Sequence, residues 1–265
     1  TTGAKNIGLG QGAGDAITTG SNNTIIGDYA GTTTLADTVV IAAGTTERLK
    51  IDASGMQVNG AALALGATSI DGLTDGYAVG NSVGLGTGAL ANDDGTNNFN
   101  TAVGASALAA TTTGQRNVAT GYQALSSNTY GSDNAAYGHS ALRDNTTGDY
   151  NTANGYSTLT YNTTGDKNTA SGSYSLYTNT TGTHNTATGY GALYSNTTGT
   201  KNTASSYMAL YTNTTGTSNV ASGYQALRYN TTGRQNTASG FKALYKNTTA
   251  SYSTASGAYA LFSNT

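Results

Sequence analysis

The chain has 265 residues and a formal net charge of −2 at pH 7, and only 9% of its residues are charged. It contains 37 glycines and 19 tyrosines but no proline, cysteine or tryptophan. The lack of cysteine excludes disulfides and thiolate metal sites, and the charge balance argues against a nucleic-acid partner. No apolar run approaches the roughly 18 residues of a membrane-spanning helix, so no membrane insertion is predicted.

The first third of the chain predicts two short coils, a hairpin and a connector. Asn6 and Asn23 stand at equivalent places in similar segments, so residues 1–31 are interpreted as a short β-coil segment. Aliphatic residues then alternate around a glycine-containing turn, which predicts a β-hairpin or small sheet within residues 32–60. Residues 61–81 are rich in Ala, Gly and Asp and are predicted to form a connector.

A repeat of 17 residues fills residues 82–265, starting with an imperfect copy that has one inserted residue near Asp93-Asp94-Gly95. Its consensus is Asn-Thr-Ala-x-Gly-Tyr-x-Ala-Leu-x-x-Asn-Thr-Thr-Gly-x-x, whose positions we number 1 to 17. Copies start at Asn100, Asn117, Asn134, Asn151, Asn168, Asn185, Asn202, Asn219, Asn236 and Ser253. A period this short predicts stacked coils. The predicted fold class is therefore all-β, an elongated β-solenoid or parallel β-roll interrupted by a β-hairpin near residues 35–60.

The repeat itself indicates which positions face inward. Positions 1, 3 and 5 hold Asn, Ala and Gly, and alternation along a strand places all three on the inner face. Asparagine side chains stacked there can hydrogen-bond to the copies above and below, forming a ladder. Position 9 is Leu in every copy from Leu108 onward. The residues assigned to these structural rows are Asn117, Asn151, Asn168, Asn185 and Asn202, with Leu125, Leu159, Leu176, Leu193 and Leu210.

The Asn-Thr-Thr-Gly block at positions 12 to 15 is typical of a turn. Glycine there can adopt a positive φ, and the asparagine can bond to its own backbone, as at Asn162. The same blocks match glycosylation sequons, although turn chemistry explains them without a sugar. Glycine at position 5 indicates a bend or a close backbone approach, and Ser206 replaces it once.

The thin core predicts an oligomer. Each coil offers one Leu, two small residues and one aromatic residue, whose burial returns far less than the cost of ordering seventeen residues. Stacking adds backbone hydrogen bonds between coils, but partner chains are also needed to enclose the Leu and Tyr rows. The predicted assembly is an intertwined or side-by-side homotrimer.

Two aromatic rows are the candidate functional features. Position 6 is interpreted as a packed ladder at the interface between chains, with stacking on surface glycans as the alternative. Position 10 also holds Arg143, Thr160 and Arg228, and this variation predicts that it is the exposed row. The candidate glycan-binding residues are the position 10 tyrosines Tyr177, Tyr194, Tyr211 and Tyr245.

Other chemistry has little support in the sequence. His139 and His184 occupy different repeat positions, and no pair of carboxylates recurs. Asp93-Asp94-Gly95 matches no calcium-loop spacing and is explained by a simple turn. Rows of Thr raise ice binding, but the adjacent threonines of positions 13 and 14 point in opposite directions. We therefore predict no catalytic residue, no metal, no cofactor and no enzyme activity.

The Asn-Thr-Ala-x-Gly-Tyr-x-Ala-Leu repeat with Thr-Thr-Gly corners resembles repeats in bacteriophage tail fibres, particularly those of aquatic hosts. Residues 45–60 look like the hairpin that such fibre proteins often carry near a coil array. A more distant similarity is to head repeats of trimeric autotransporter adhesins, whose pattern Asn23-Thr24-Ile25-Ile26-Gly27 and residues 100–104 approach.

These resemblances imply a trimeric, extracellular, fibrous protein. The expected function is the shaft of a virion tail fibre, which contacts other tail proteins and attaches to a host-surface glycan or other receptor. The alternatives are a trimeric adhesin on the bacterial surface or an extracellular matrix filament and, third, an ice-binding solenoid.

Overall fold

The computed structural model describes most of the chain: residues 4–17, 19, 21–26, 39–43, 46–52, 55–58, 61–63, 76–79 and 81–264. Every regular element in these ranges is a β-strand. The chain forms two compact units, Thr1–Leu73 and Thr74–Thr265.

The first unit contains one six-stranded sheet with strands in chain order. Its strands are β1 (Ile7–Leu9), β2 (Thr24–Ile26), β3 (Val39–Ala43), β4 (Thr46–Asp52), β5 (Gly55–Val58) and β6 (Ala61–Leu63). Strands β1 to β3 pair in parallel, whereas β3 to β6 form an antiparallel meander. The meander contains the hairpin that the sequence predicts near residues 35–60, and it continues through β6 into the predicted connector.

The second unit contains one twelve-stranded sheet. Its strands are β7 (Gly76–Val79), β8 (Ser82–Leu85), β9 (Thr101–Val103), β10 (Val118–Thr120), β11 (Ala135–Tyr137), β12 (Thr152–Asn154), β13 (Thr169–Ser171), β14 (Thr186–Thr188), β15 (Thr203–Ser205), β16 (Val220–Ser222), β17 (Thr237–Ser239) and β18 (Thr254–Ser256). Strand β7 pairs antiparallel with β8, and it too lies within the predicted connector. The remaining residues of that segment, 64–75 and 80, lie outside the described part of the chain.

From β8 to β18 every neighbouring pair is parallel, which confirms the predicted β-solenoid. Thr169 lies opposite Thr186 and Ala170 opposite Ala187, so equivalent repeat positions stack directly on one another. Between β8 and β9 the register pairs Val83 with Thr101. This separation along the chain is one residue more than the repeat length, and it accommodates the inserted residue near Asp93.

Backbone hydrogen bonds join each coil to both of its neighbours, although each coil from β9 onward has only three strand residues. The N–H of Tyr174 donates to the Tyr156 carbonyl of the preceding coil at 3.0 Å. The N–H of Leu176 donates to the Ala192 carbonyl of the following coil, also at 3.0 Å. These two residues have left-handed φ angles of 58° and 49°, and Leu recurs with such an angle at position 9 in every coil from Leu108 to Leu261. The stack, rather than local propensity, holds the turns in this conformation.

The core is a narrow column of small residues and leucine. Position 3 alanines such as Ala170 and Ala187 are fully buried, and Ala187 lies between the exposed Thr186 and Thr188 of positions 2 and 4. The five leucines assigned to the structural row, Leu125, Leu159, Leu176, Leu193 and Leu210, are all 0% exposed. The inner face of each coil is therefore too narrow for more than one large aliphatic side chain.

Two ladders of asparagine run through this core. At position 1, the backbone N–H of Asn185 donates to Oδ1 of Asn168 at 3.0 Å, and its Nδ2 donates to the Gly199 carbonyl at 2.8 Å. At position 12, Nδ2 of Asn196 donates to Oδ1 of Asn179 at 2.7 Å and to the same Gly199 carbonyl at 3.0 Å. The sequence predicts the first ladder but interprets position 12 only as a turn. From Gly131 to Gly233, each glycine carbonyl at position 15 thus receives an amide from both ladders.

Ser206 adopts a backbone conformation that its equivalents in other coils reach with glycine. Its φ is 127°, close to the 119° of Gly189 and the 137° of Gly223. We expect Ser206→Gly to raise the free energy of unfolding by about 1 kcal/mol, because relief of strain outweighs the entropy that glycine adds to the unfolded chain. Urea denaturation measures the change.

The matched control for Ser206 is Gly189→Ser, the reverse substitution one coil earlier. A Cβ at Gly189 would lie 2.8 Å from the Ser206 carbonyl carbon, so this variant should be destabilised. A less stable Ser206→Gly protein would show that the serine side chain contributes more than its strain costs.

Candidate functional site

A continuous row of aromatic rings, here called the first aromatic file, runs along the outside of the coils. It consists of Tyr122, His139, Tyr156, Tyr174, Tyr190, Tyr207, Tyr224, Phe241 and Tyr259. Successive ring centroids lie 5.1 to 5.9 Å apart. Position 6 supplies most of the rings, and where it holds Ser173 or Ala258, position 7 supplies Tyr174 or Tyr259 instead. The file therefore continues through coils in which position 6 is not aromatic.

A second aromatic file contains all four candidate tyrosines. It consists of Tyr161, Tyr177, Tyr194, Tyr211, Tyr229, Tyr245 and Phe262, and the ring contacts within it span 4.9 to 5.1 Å. Arg228 fills the gap between Tyr211 and Tyr229, with its guanidinium carbon 5.5 and 5.6 Å from their ring centroids. The two files touch where Tyr174 contacts Tyr177 at 5.4 Å. Together they form one aromatic surface.

The relative exposure of the two files is the reverse of the sequence-based expectation. Tyr177, Tyr194, Tyr211 and Tyr245 are half-buried, whereas first-file residues such as Tyr122 and Tyr190 are 50% and 46% exposed. The reason is crowding, because Tyr177 has Tyr161, Tyr174 and Tyr194 within 5.4 Å, centroid to centroid. In this single chain, the first file is the more accessible row.

Most rings on this surface cover the faces of their neighbours. Tyr207 and Tyr224 lie within 9° of parallel, Tyr224 and Phe241 within 7°, and Tyr194 and Tyr211 within 14°. A sugar stacks on the face of an aromatic ring, so parallel stacking leaves it mainly ring edges and hydroxyls. Two rings of the second file turn out of the stack. Tyr161 stands at 76° to Tyr177, and Tyr229 at 84° to Tyr245.

The Tyr229 ring borders a slot of about 470 Å³, lined also by Thr212, Thr231, Lys246 and Thr248. The Thr212 hydroxyl donates to the Arg228 carbonyl at 2.9 Å, and the Thr231 hydroxyl donates to the Thr248 carbonyl at 3.0 Å. Because these hydroxyls bond to the backbone, the wall of the slot is mostly apolar, and Lys246 is the charged residue that lines it.

Charge is strongly segregated along the repeats, a feature that the net charge conceals. Asp166 is the last acidic residue, and six basic residues follow it: Lys167, Lys201, Arg228, Arg234, Lys242 and Lys246. Lys242 Nζ lies 5.3 Å from the Phe241 centroid, and Lys246 Nζ lies 5.5 Å from that of Phe262. Arg228 Nε is buried without a hydrogen-bond partner. The sequence does contain this signal, as a stretch of repeats without Asp or Glu.

The earlier coils differ, because their arginines are paired with carboxylates. Arg116 Nε lies 2.7 Å from Asp133 Oδ1, and Arg143 Nε lies 2.7 Å from Asp144 Oδ1. The Asp144 carboxylate raises the pKa of Arg143, chiefly through this hydrogen bond. Arg143 also lies over the Tyr161 ring, with its guanidinium carbon 5.2 Å from the centroid. The Tyr161 neighbourhood thus resembles that of Tyr229 in shape but is neutral in charge.

The pair of hydroxyls at Tyr161 and Tyr177 titrates unevenly. The pKa of Tyr177 is raised to about 12, first by the hydrogen bond between the Tyr177 and Tyr161 hydroxyls and then by burial. The same bond, followed by that to Arg143, lowers the pKa of Tyr161. The folded pKa of Tyr177 exceeds the ordinary value of about 10, so its contribution to stability is complete below about pH 10 and is lost as the pH rises towards 12.

We therefore expect Tyr161 to ionise before Tyr177 in an alkaline titration. Tyr177→Phe should raise the pKa of Tyr161, because it removes the hydrogen bond that stabilises the Tyr161 phenolate. Difference absorbance of the phenolate between the two proteins measures this shift. An unchanged titration in Tyr177→Phe would contradict the assigned hydrogen bond.

The other residues considered from sequence do not come together in a site. His139 lies within the first aromatic file, and His184 is exposed at position 17. Asp93 and Asp94 form a turn, in which their Oδ1 atoms accept the N–H groups of Gly95 and Thr96 at 3.0 Å each. Among the described residues, no cluster of three or more His, Asp or Glu is arranged to bind a metal ion.

The described part of the chain contains no helix able to span a membrane. Solenoids of short stacked repeats are typical of structural proteins and of extended binding surfaces. Comparisons of the chain with protein-family models, with curated proteins and with solved structures find no match.

Proposed function

We propose that this chain is the shaft of a bacteriophage tail fibre, which projects from the virion and helps to attach it to a surface glycan of the host. The observation that carries the proposal is the uninterrupted register of strands β8 to β18, all parallel and all bonded to their neighbours. At about 4.8 Å per strand, ten coils extend the chain by about 50 Å. The resemblance of the repeat to tail-fibre repeats supplies the biological setting.

In this proposal the chain acts by position and multivalency rather than by catalysis. The described histidines and carboxylates do not form an acid–base pair, and the aromatic surface is the most prominent chemical feature. A weak glycan-binding face gains affinity when several copies are held together on one rod. This gain requires that the chain assemble with copies of itself.

The first aromatic file is the surface proposed to join three chains. Nine aromatic residues follow one line, and many of them are about half accessible, such as Tyr156 at 47% and Tyr207 at 39%. An aromatic side chain presents roughly 200 Å², so the file offers on the order of 800 Å² per chain. A stable interface buries about that area on each partner.

Light scattering of the full chain at micromolar concentration tests the assembly. The expected mass is about three times the 26.6 kDa of one chain, and a monomeric mass would refute the trimer. Cryo-electron microscopy of the native particle tests the setting, where the expected image is a threefold rod joined to a virion. A filament anchored to a bacterial cell would instead move the function to a surface adhesin or matrix filament.

Ice binding is a separate candidate, favoured by one observation. Position 2 of the strands presents exposed threonines in register, including Thr169, Thr186 and Thr203, on a regular parallel sheet. The row is interrupted by Val118, Ala135 and Val220. A thermal-hysteresis assay decides this case, because measurable hysteresis would displace the fibre proposal.

A further inference from the structure

We propose that the slot beside Tyr229, together with Arg228 and Lys246, is a binding site for an acidic sugar, a pyranose that carries a carboxylate within a surface polysaccharide. The inference rests on the proposed attachment function and deepens it, since it names both the ligand class and the place on the shaft. It also shifts the binding site from the stacked tyrosines of position 10 to their edge at position 11.

The shape of the slot suits one or two sugar rings. Its volume of about 470 Å³ lies within the range of small-ligand pockets, and its mostly apolar wall suits the C–H groups of a pyranose. Tyr229 supplies a ring that stands at 84° to Tyr245 instead of lying flat against it. It is 40% exposed, so its surface remains accessible to a ligand.

The charge of the slot selects an anion. Lys246 lines the slot, and Arg228 lies against Tyr229 with its buried Nε unpaired. The sequence has no Asp or Glu after Asp166, so no carboxylate in the described coils neutralises these groups. A sugar carboxylate supplies Lys246 with a charge-assisted partner, while Arg228 adds positive charge beside Tyr229.

An internal comparison supports the assignment. Tyr161 occupies the same repeat position four coils earlier, and its ring is turned in the same way. There, however, Thr160 and Thr178 take the places of Arg228 and Lys246, and the nearby Arg143 of the preceding coil is paired with Asp144. Within the second aromatic file a turned ring therefore occurs at both Tyr161 and Tyr229, whereas Tyr229 alone of these two has cations without a carboxylate partner beside it.

A polysaccharide is favoured over a nucleic acid by the geometry of the aromatic surface. Single-stranded nucleic acids bind by stacking successive bases on open aromatic faces along a basic groove. Here the rings next to the slot stack on each other, as Tyr245 does on Phe262 at 7°, and leave one turned ring. One turned ring and a slot of limited volume suit a sugar unit better than a run of bases.

The binding experiment uses the full chain and two forms of one polymer. Polygalacturonate carries a carboxylate on every sugar, and its methyl ester has the same backbone without the charge. Isothermal titration at low salt is expected to show binding of polygalacturonate, about ten-fold weaker binding of the ester, and weakening of the first with added salt. Equal binding of the two forms would overturn the inference.

Two variants, each with a matched control, test whether the polymer binds at the slot. Lys246→Gln should weaken polygalacturonate binding about ten-fold, whereas Arg234→Gln, which removes the same charge at the exposed position 16, should not. Tyr229→Ser should weaken binding similarly and should fold, because Ser195 occupies the same repeat position. Its control is Tyr252→Ser, at a tyrosine that is 75% exposed and lies outside the slot.

The outcomes separate this inference from the proposed function. If Lys246→Gln and Arg234→Gln change binding equally, attraction is general and the slot is not the site. If an oligo-dT strand binds more tightly than polygalacturonate and depends on Lys246, the ligand is a nucleic acid and the inference is wrong. If virions carry a threefold rod but the chain does not bind polygalacturonate, the proposed shaft function stands and the proposed sugar site is wrong.

Discussion

Gly182→Ala is expected to lower the free energy of unfolding by about 3 kcal/mol, because the following coil leaves no room for a Cβ at Gly182. A Cβ built on Gly182 would lie 2.5 Å from the Gly199 carbonyl oxygen of the next coil, and it would also clash with Oδ1 of Asn179. Neither group can move freely, since both belong to the position 12 asparagine ladder. Urea denaturation gives the size of the effect, and hydrogen exchange of the neighbouring coils shows where it acts.

The control for Gly182 is Gly191→Ala, at position 7 in an adjacent coil. There the Cβ would first meet the Tyr211 ring at 3.2 Å, and other coils hold Ser157 and Gln225 at this position with similar φ angles of 51° and 55°. We expect a change within about 1 kcal/mol. If both variants lost the same stability, general glycine entropy rather than contact between coils would be the cause.

Asn185→Ala is expected to cost about 3 kcal/mol, because it breaks the position 1 ladder inside the core. Oδ1 of Asn185 accepts the backbone N–H of Asn202 at 3.0 Å, and its Nδ2 donates to the Gly199 carbonyl at 2.8 Å. Alanine would leave the buried Asn202 N–H without a partner. The neighbouring Thr186→Ala, at an exposed residue, should change stability by less than about 0.5 kcal/mol when both are unfolded in urea.

Asn185→Asp tests the hydrogen bonds of the ladder separately from packing, because the aspartate side chain has nearly the same shape as asparagine. The carboxyl group keeps the acceptor atoms but loses the N–H donors, and burial raises its pKa. A raised pKa means that the neutral form favours folding, so the variant should be most stable at low pH and lose stability as the pH rises past the ordinary value of about 3.9. A loss of stability independent of pH would argue that the amide hydrogen bonds contribute little.

The repeat period made the solenoid predictable, because equivalent residues that recur without a slip can only stack. Alternation at positions 1, 3 and 5 also placed Asn185 and Ala187 inside. The second ladder was missed because Asn196 sits in a turn sequence, where a local bond to its own backbone is a sufficient explanation. The left-handed leucines were not predictable, since such angles are unfavourable for Leu in isolation and arise only within the stack.

The candidate surface was predictable in composition but not in arrangement. The sequence identified the tyrosine rows, yet which of Tyr177 and Tyr190 is more accessible depends on side chains in three adjacent coils. The turned rings of Tyr161 and Tyr229 both lie at position 11, in coils whose position 10 holds Thr160 or Arg228 in place of a tyrosine. The segregation of charge is present in the sequence, but the net charge of −2 for the whole chain does not reveal it.

Each coil bonds only to the coils directly before and after it, and this affects how the number of repeats can change in evolution. Insertion or deletion of 17 residues lengthens or shortens the stack by one step of about 4.8 Å and leaves every surviving contact intact. Near-identical copies also favour unequal recombination, which makes changes of this size. An insertion of another length must instead be absorbed in a turn, as the single extra residue near Asp93 is, because a shift of the strand register would bring different repeat positions together. The length of the rod can therefore change in steps of one coil. The residues of the slot, from Arg228 to Lys246, would keep their positions relative to one another.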